Sequence, residues 1–265
     1  MEKVQSRDGT PIAFERMGSG PALIVVNGAL SARQSGAALA ARLAERYSVF
    51  LYDRRGRGDS GDTPPYAIAR EVDDLAAMLA AAGGSAFVFG HSSGGVLALE
   101  AARTLVFIKL AVYEPPFIVD GARAPAPADY VARLNALLAA GQRGEAVQYW
   151  MRDVVGAPAA AVAQMAQPSP MWTALQALAH TMPYDGAVLG DGLRGGPLSS
   201  QHWAAVSTPT LVLDGGASPA WVHNTAQALA GVLPHALQRT LPGQTHSADP
   251  LVLAPVLEEF FTVTE

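Results

Sequence analysis

The chain has 265 residues, of which 50% are hydrophobic and 15% charged, and its formal net charge is -5 at pH 7. This length allows one sizeable core and a small accessory subdomain, while the acidic balance excludes the basic surface that nucleic acids and anionic membranes require. The absence of cysteine excludes disulfides, thiolate catalysis and Cys-ligated metals. No stretch is apolar enough for a membrane span or a leader, so we expect a soluble, cytoplasmic protein.

Short β-type runs alternate with longer Ala/Leu-rich runs along most of the chain. Around Asp8-Gly9, "KVQSR" and "PIAFERM" predict a hairpin, because Asp-Gly supplies the positive φ angles of a tight turn. The strands and helices that follow alternate, and the strands are apolar on both faces. This pattern predicts an α/β fold with a doubly wound, mostly parallel sheet. In chain order the runs are "ALIVV", "AALAARLAERY", "SVFLY", "AREVDDLAAMLAAAG", "AFVFG", "GGVLALEAAR", "IKLAVY", "TPTLVLD", "AWVHNTAQALAGVL", "HALQRTL" and "PLVLAPVLEEFF".

The alternation is interrupted by residues 115–206, which lie between two predicted core strands. This segment has helical stretches, "DYVARLNALLAAG" and "GEAVQYWMRDVVG", but no convincing strand, and it contains Trp150, Trp172 and Trp203. We predict that it forms a helical cap over the sheet edge where ligands bind, inserted into a core made of residues 1–114 and 207–265. Most of its tryptophans and methionines are expected to pack inside the cap, and a minority to line an apolar site.

The segment "FVFGHSSGGVLALEAA" combines a strand, a turn of small residues and a helix. Within it, Gly90-His91-Ser92-Ser93-Gly94 matches the motif G-x-S-x-G, which places a nucleophilic serine on a strained turn. The free N–H groups and positive dipole end of the following helix favour an oxyanion. The alternative is a serine that only caps the helix, which the strand–turn–helix context disfavours.

With these residues in place, the sequence resembles the α/β-hydrolase superfamily over nearly the whole chain outside the cap. "LIVVNGAL" is similar to the family's third-strand segment, with Asn27-Gly28 in place of the usual His-Gly. "YDRRGRGDSG" resembles the D-x-R-G-x-G-x-S loop, and "LPGQTHSADP" resembles the loop that carries the catalytic histidine. The resemblance implies an α/β-hydrolase fold of the serine esterase or haloperoxidase-like branch with a helical cap.

A serine hydroxyl needs a base near neutral pH, and imidazole has a suitable pKa. Of the six histidines, His246 stands in a Gly/Pro-bracketed loop before Asp249-Pro250, a predicted N-cap and first helical residue. The resemblance also places the base in this loop, so we take His246 as the catalytic base. His91 neighbours the serine but is expected to point away from it.

The acid that would orient His246 departs from the commonest family pattern. The usual position is occupied by Ser218, which cannot stabilise an imidazolium by charge. Two carboxylates at strand ends remain: Glu114 in "LAVYEPPF" and Asp214 in "LVLDGGASP". In some haloalkane dehalogenases and lipases, the acid resembles Glu114 in following the corresponding strand. We favour Glu114 for its reach, since Asp214 can instead cap the turn that follows it.

An oxyanion hole requires two backbone donors. The turn supplies one donor, the Ser93 N–H, and the resemblance places the other at Ala29.

The predicted function is a serine hydrolase acting through an acyl-enzyme on a small-molecule carboxylic ester or related acyl bond. A cofactor-independent haloperoxidase or perhydrolase, a lactonase and a C–C hydrolase are the catalytic alternatives, and a small-ligand receptor is the non-catalytic one. No cofactor or metal is expected, and the oligomeric state is left open.

Two further signals lie in the "RRGRGDSG" segment. Residues 56–61 spell G-x-G-x-x-G, but Thr63-Pro64-Pro65 follows and excludes the helix that a dinucleotide site needs. The second signal is a basic cluster that we expect to pair internally and fix the loop. Its arginines are Arg54, Arg55 and Arg57, and the expected partners are Asp53, Asp59 and Asp62.

Overall fold

The computed structural model describes residues 1–262, and its strands form one eight-stranded sheet. The first pairings, β1 with β2 and β2 with β4, are antiparallel, and all the others are parallel. The predicted doubly wound, mostly parallel sheet is therefore confirmed. In order across the sheet, the strands are β1 (Glu2–Gln5), β2 (Pro11–Met17), β4 (Ser48–Tyr52), β3 (Ala22–Val26), β5 (Phe87–His91), β6 (Leu110–Tyr113), β7 (Thr210–Gly215) and β8 (Ala236–Leu241).

Helices cover both faces of the sheet, which explains why the central strands carry apolar residues on both faces. Along β5, Val88 faces one core, while Phe87 and Phe89 face the other. The first core is closed by α2 (Ile68–Ala81), α3 (Ser93–Ala102) and α10 (Ala220–Val232). The second is closed by α1 (Ala37–Leu43) and α11 (Pro250–Phe261). No helix within residues 1–262 combines the length and the apolarity that crossing a membrane requires.

The segment 115–206, described in full, is helical as its sequence predicts and has no strand. We refer to it as the insertion; its role as a cap, and the division of the chain around it, stay predictions. Its helix α8 reaches the core, where Asp185 is buried beside Ser93 of α3. Its α-helices are α4 (Tyr130–Ala139), α5 (Arg143–Tyr149), α6 (Ala159–Met165), α7 (Pro170–Leu178), α8 (Met182–Leu189) and α9 (Ser200–Trp203).

The parallel register brings the predicted site residues to one edge of the sheet. Val26 pairs with Gly90, and Gly90 pairs with Val112, so β3, β5 and β6 end at neighbouring points. The segments that leave these three ends carry Ala29, Ser92 and Glu114. Candidate groups that are distant in sequence therefore converge where ligands of open α/β sheets bind.

Candidate active site

Ser92 stands alone between β5 and α3, in a conformation that side chains rarely adopt. Its φ is 55° and its ψ is -127°, which costs free energy that the surrounding packing must offset. A Cβ atom on Gly90 would lie 2.6 Å from the Gly95 Cα, and one on Gly94 would lie 2.3 Å from the Val26 oxygen. The two outer glycines of the motif are thus required by close backbone approaches around the serine.

His246 and Glu114 form a direct pair. Glu114 follows β6 with a φ of 47°, and its Oε2 lies 2.7 Å from His246 Nδ1. Because a carboxylate accepts, Nδ1 carries the proton, and in the neutral ring Nε2 is left as the acceptor. The hydroxyl of Tyr113 donates to the Thr245 oxygen over 2.6 Å and so fixes the loop that holds the histidine.

Glu114 is buried and receives two further hydrogen bonds on Oε1. They come from the Gly215 N–H, at 2.8 Å, and from the Ser218 hydroxyl, at 2.6 Å. Burial raises the pKa of Glu114, but the hydrogen bonds from His246, Ser218 and Gly215 together outweigh burial and leave the pKa below its usual value. Ser218, at the position where the family usually carries the acid, therefore stabilises a carboxylate supplied by another strand.

Asp214, the alternative acid, faces away from His246. Its Oδ1 accepts from Gln238 Nε2 at 3.0 Å and from the Thr240 hydroxyl at 3.0 Å. Its Oδ2 is paired with Nδ1 of His223, on α10. The structure thus brings Glu114, and not Asp214, to His246.

The two candidate oxyanion donors flank the serine. Ser93 begins α3, and Ala29 follows Gly28, on which a Cβ atom would lie 2.9 Å from the Ser92 Cβ. Among the described residues, neither the Ala29 nor the Ser93 N–H is used in a hydrogen bond. The Asn27 side chain donates to the Ala32 oxygen over 3.2 Å and so braces the loop.

A buried ion cluster, formed by Arg54, Arg57, Glu71 and Asp185, lies behind these donors. Arg57 donates to the Gly28 oxygen over 2.7 Å and to Asp185 over 2.7 Å. Asp185 also accepts from the Ser93 hydroxyl at 2.8 Å and from Arg54 at 2.8 Å, and Arg54 pairs with Glu71 through two bonds of 2.8 Å. The cluster thus joins the insertion to both backbone segments of the candidate oxyanion hole.

The three arginines of the basic cluster pair within the protein as predicted, but the prediction that aspartates of the same loop are their partners is wrong. Asp53 pairs with Arg33, as does Asp59, and Asp62 accepts from the hydroxyl of Tyr184. Arg55 pairs instead with Asp74 at 2.6 Å and with Asp8 at 3.0 Å. The true partners come from α2, from the insertion and from the first hairpin, so proximity along the chain gives no sign of them.

His91, which is expected to point away from Ser92, lines the cavity that Ser92 also lines. Its Nε2 donates to the His246 oxygen over 2.9 Å, and the two imidazole ring centroids are 4.6 Å apart. Burial, and then the neighbouring His246, lower the pKa of His91 to about 4. The ring is therefore neutral at pH 7 and adds no charge to the wall of the site.

These groups surround a mainly apolar cavity of about 640 Å³. Ser92, Ser93, Ala29, Glu114 and His246 all line it. Among the described residues, the Ser92 and His246 side chains form no hydrogen bond with each other in this conformation. In free enzymes a hydrogen bond of this kind is often completed only when substrate binds. The insertion contributes to the wall with Trp150, Met151, Met165 and Met171, among others, whereas Trp172 and Trp203 lie outside it.

Comparison with known proteins places this arrangement in a family. Residues 23–256 match the model of the Alpha/beta hydrolase family. The solved structure of an alpha/beta hydrolase from Sphaerobacter thermophilus is 58% identical, with a TM-score of 0.93, over 98% of this chain and 100% of that chain. The esterase RhEst1 from Rhodococcus sp. ECU1013 shares the fold at 20% identity and a TM-score of 0.69, over 98% of this chain and 97% of that chain.

Among curated proteins, the uncharacterized hydrolase YraK of Bacillus subtilis is 34% identical over 96 residues, and the match spans 35% of each chain. That similarity therefore covers about a third of the relative, while the family model covers most of the present sequence. The eight-stranded sheet and the strand–turn–helix around Ser92 agree with the match to the family model. The chain belongs to the alpha/beta hydrolase family.

Proposed function

We propose that this protein is a serine hydrolase that cleaves a carboxylic ester or a closely related acyl bond. The observation that carries the proposal is the 2.7 Å contact between Glu114 and His246 on the wall of the cavity that Ser92 also lines. A carboxylate, an imidazole and a hydroxyl gathered around one cavity have the roles that nucleophilic acyl transfer needs.

In the proposed reaction, the Ser92 oxygen attacks the substrate carbonyl while His246 Nε2 accepts the hydroxyl proton. Glu114 stabilises the resulting imidazolium, and the Ala29 and Ser93 N–H groups stabilise the tetrahedral oxyanion. The intermediate collapses to an acyl-enzyme, and the departing alcohol takes the proton from His246. A water molecule then attacks the acyl group and gives one proton to His246. The second tetrahedral intermediate collapses, His246 returns this proton to the Ser92 oxygen, and the carboxylic acid product leaves.

A fluorophosphonate probe tests the proposal because it reacts with an activated serine. We expect wild-type protein and the Ser207→Ala control, which changes an exposed serine, to be labelled. Ser92→Ala should abolish labelling and lower kcat on aryl esters by about five to six orders of magnitude while the fold is kept. Absence of labelling in the wild type would favour a ligand receptor, and an unlabelled but active Ser92→Ala protein would contradict the assignment of the nucleophile.

Aryl esters, lactones, C–C hydrolase substrates and peracid-forming assays on the same purified protein distinguish the remaining acyl chemistries. All of them use the same nucleophile, so the panel ranks substrates without changing the role of Ser92. A preference for aryl esters over the other substrates is expected.

A further inference from the structure

The cavity wall contains one cation, Arg123, that the proposed mechanism does not use. Arg123 lies between β6 and α4, and together with Glu114 it supplies the charged side chains of the lining. Glu114 is occupied by His246, Gly215 and Ser218. The rest of the insertion's contribution to the wall is apolar, so the guanidinium is the natural site for an anion in this cavity.

The guanidinium is held in place without a counter-charge. It lies 4.9 Å from the ring centroid of Trp221 and donates through Nη2 to the Val154 oxygen. Gly156 has a φ of 83°, and a Cβ atom there would come within 3.0 Å of Nη2, so glycine permits this close approach. Among the described residues, no carboxylate lies within ion-pair distance of Arg123, whereas every arginine of the buried ion cluster has one.

Burial lowers the pKa of Arg123, and no neighbouring charge acts against burial. Guanidinium groups nevertheless keep their proton throughout the range in which proteins are folded. The cavity therefore contains a partly desolvated positive charge with several unused N–H donors. Such a group gains most from a planar anion that accepts two parallel hydrogen bonds, and a carboxylate has that geometry.

We propose that Arg123 is a carboxylate subsite, and that the preferred substrate is an acyl ester whose acyl chain ends in a carboxylate remote from the scissile bond. The proposal rests on the proposed function. The scissile carbonyl lies at Ser92, the alkyl chain lies against apolar side chains such as Trp150 and Met151, and the terminal carboxylate pairs with the guanidinium. The subsite selects substrates by charge and takes no part in bond cleavage.

The kinetic test uses two esters that differ only at the chain end, 4-nitrophenyl hemiadipate and 4-nitrophenyl hexanoate. Arg123→Gln should lower the ratio of kcat/KM for the anionic ester to kcat/KM for the neutral ester by about 10- to 100-fold, the range of a hydrogen bond to a charged group. Arg123→Lys keeps the positive charge but loses the two parallel N–H donors of the guanidinium. Its ratio of kcat/KM values should lie between those of the wild type and Arg123→Gln. The matched control is Arg152→Gln, because Arg152 belongs to the insertion, pairs with Asp153 and does not line the cavity; it should leave the ratio unchanged.

A binding measurement separates this inference from the proposed reaction. Ser92→Ala protein is titrated calorimetrically with hexanoate and with hexanamide, which differ in charge at one end. We expect hexanoate to bind at least about 10-fold more tightly, and the additional Arg123→Gln change to remove most of that difference. An Arg123-dependent preference in a protein that cleaves no ester would contradict the hydrolase and keep the subsite. A ratio of kcat/KM unchanged by Arg123→Gln, with equal binding of the two ligands in both variants, would overturn the subsite and leave the hydrolase intact.

Discussion

Glu114 and Asp214 show how two buried carboxylates at neighbouring strand ends acquire different roles. Both residues lie at the carboxyl ends of neighbouring parallel strands, Glu114 just after β6 and Asp214 near the end of β7, and both are buried. Glu114 adopts a positive φ and turns toward His246, whereas Asp214 lies in regular β7 and is surrounded by Gln238, Thr240 and His223. The two carboxylates therefore face different partners, and among the described residues only that of Glu114 contacts the His246 imidazole.

Substituting each acid by its amide separates these roles. Glu114→Gln keeps the shape but removes the charge that would stabilise the imidazolium, and kcat should fall by about three to four orders of magnitude. Asp214→Asn should change kcat by less than about tenfold and lower the free energy of unfolding by about 1–3 kcal/mol, because hydrogen bonds to a buried charge are lost. Steady-state kinetics and urea unfolding of both variants check this. A larger loss of kcat in Asp214→Asn than in Glu114→Gln would contradict the assignment.

Sequence was a sufficient guide where local conformation depends on a residue's immediate neighbours. The strained turn at Ser92 could be predicted from the glycines around it. The loop of His246 could be predicted from the start of the following helix, whose N-cap, Asp249, accepts from Leu251 N–H at 2.8 Å. The orientation of His91 and the donors to Glu114 could not be predicted, because they depend on loops that meet only after folding. Ser218 illustrates this limit. The sequence shows a serine at the position where the resemblance expects the acid, but it does not show that this serine donates a hydrogen bond to Glu114.

At the scale of elements, the sheet, its covering helices and the helical nature of the insertion were predictable, but most individual helices of the insertion were not. Strands with two buried faces read as short continuous apolar runs, and long amphipathic helices carry a periodic signal; neither pattern requires knowledge of the fold. In the insertion, α4 and α5 correspond to the two predicted helical stretches, α5 beginning one residue earlier than predicted and continuing as a π-helix over Trp150–Val154. The remaining α-helices of the insertion have between four and nine residues, and helices this short depend on packing more than on propensity.

Asp185 is the residue through which α8 is anchored to the core, and removing its charge tests that anchor. Asp185→Asn leaves the buried guanidinium of Arg57 without its carboxylate partner, and should lower the free energy of unfolding by about 3–5 kcal/mol. The matched control, Asp191→Asn, breaks the exposed pair with Arg194 and should cost about 1 kcal/mol or less. Urea unfolding at pH 7 provides the measurement. Equal effects of the two changes would show that the buried ion cluster does not anchor the insertion.

At the scale of the whole molecule, the buried ionisable groups determine the response to acid. Burial opposes ionisation of Glu71 and Asp185, but the neighbouring arginines outweigh it and hold the pKa of each below its usual value. Their contribution to stability is present above the pKa of the unfolded chain and is lost as pH falls through the folded value. Asp74 acts with the opposite sign, because burial raises its pKa and its protonation favours the folded state. Loss of the stabilisation from Glu71 and Asp185 therefore begins only as pH falls to the ordinary pKa of a carboxyl group.

His91 should weaken the fold at higher pH than these carboxylates do. Its folded pKa of about 4 lies below the ordinary value of 6.5, so the unfolded chain binds a proton that the folded protein excludes between these two values. The stabilising contribution is complete above pH 6.5 and decreases as pH falls toward 4. Between pH 7 and pH 5, the free energy of unfolding of the wild type should thus fall by about 1–2 kcal/mol more than that of His91→Gln, which cannot be protonated in this range. Urea unfolding of both proteins at the two pH values measures the difference, and parallel pH dependence would show that His91 is protonated as readily in the folded protein as in the unfolded chain.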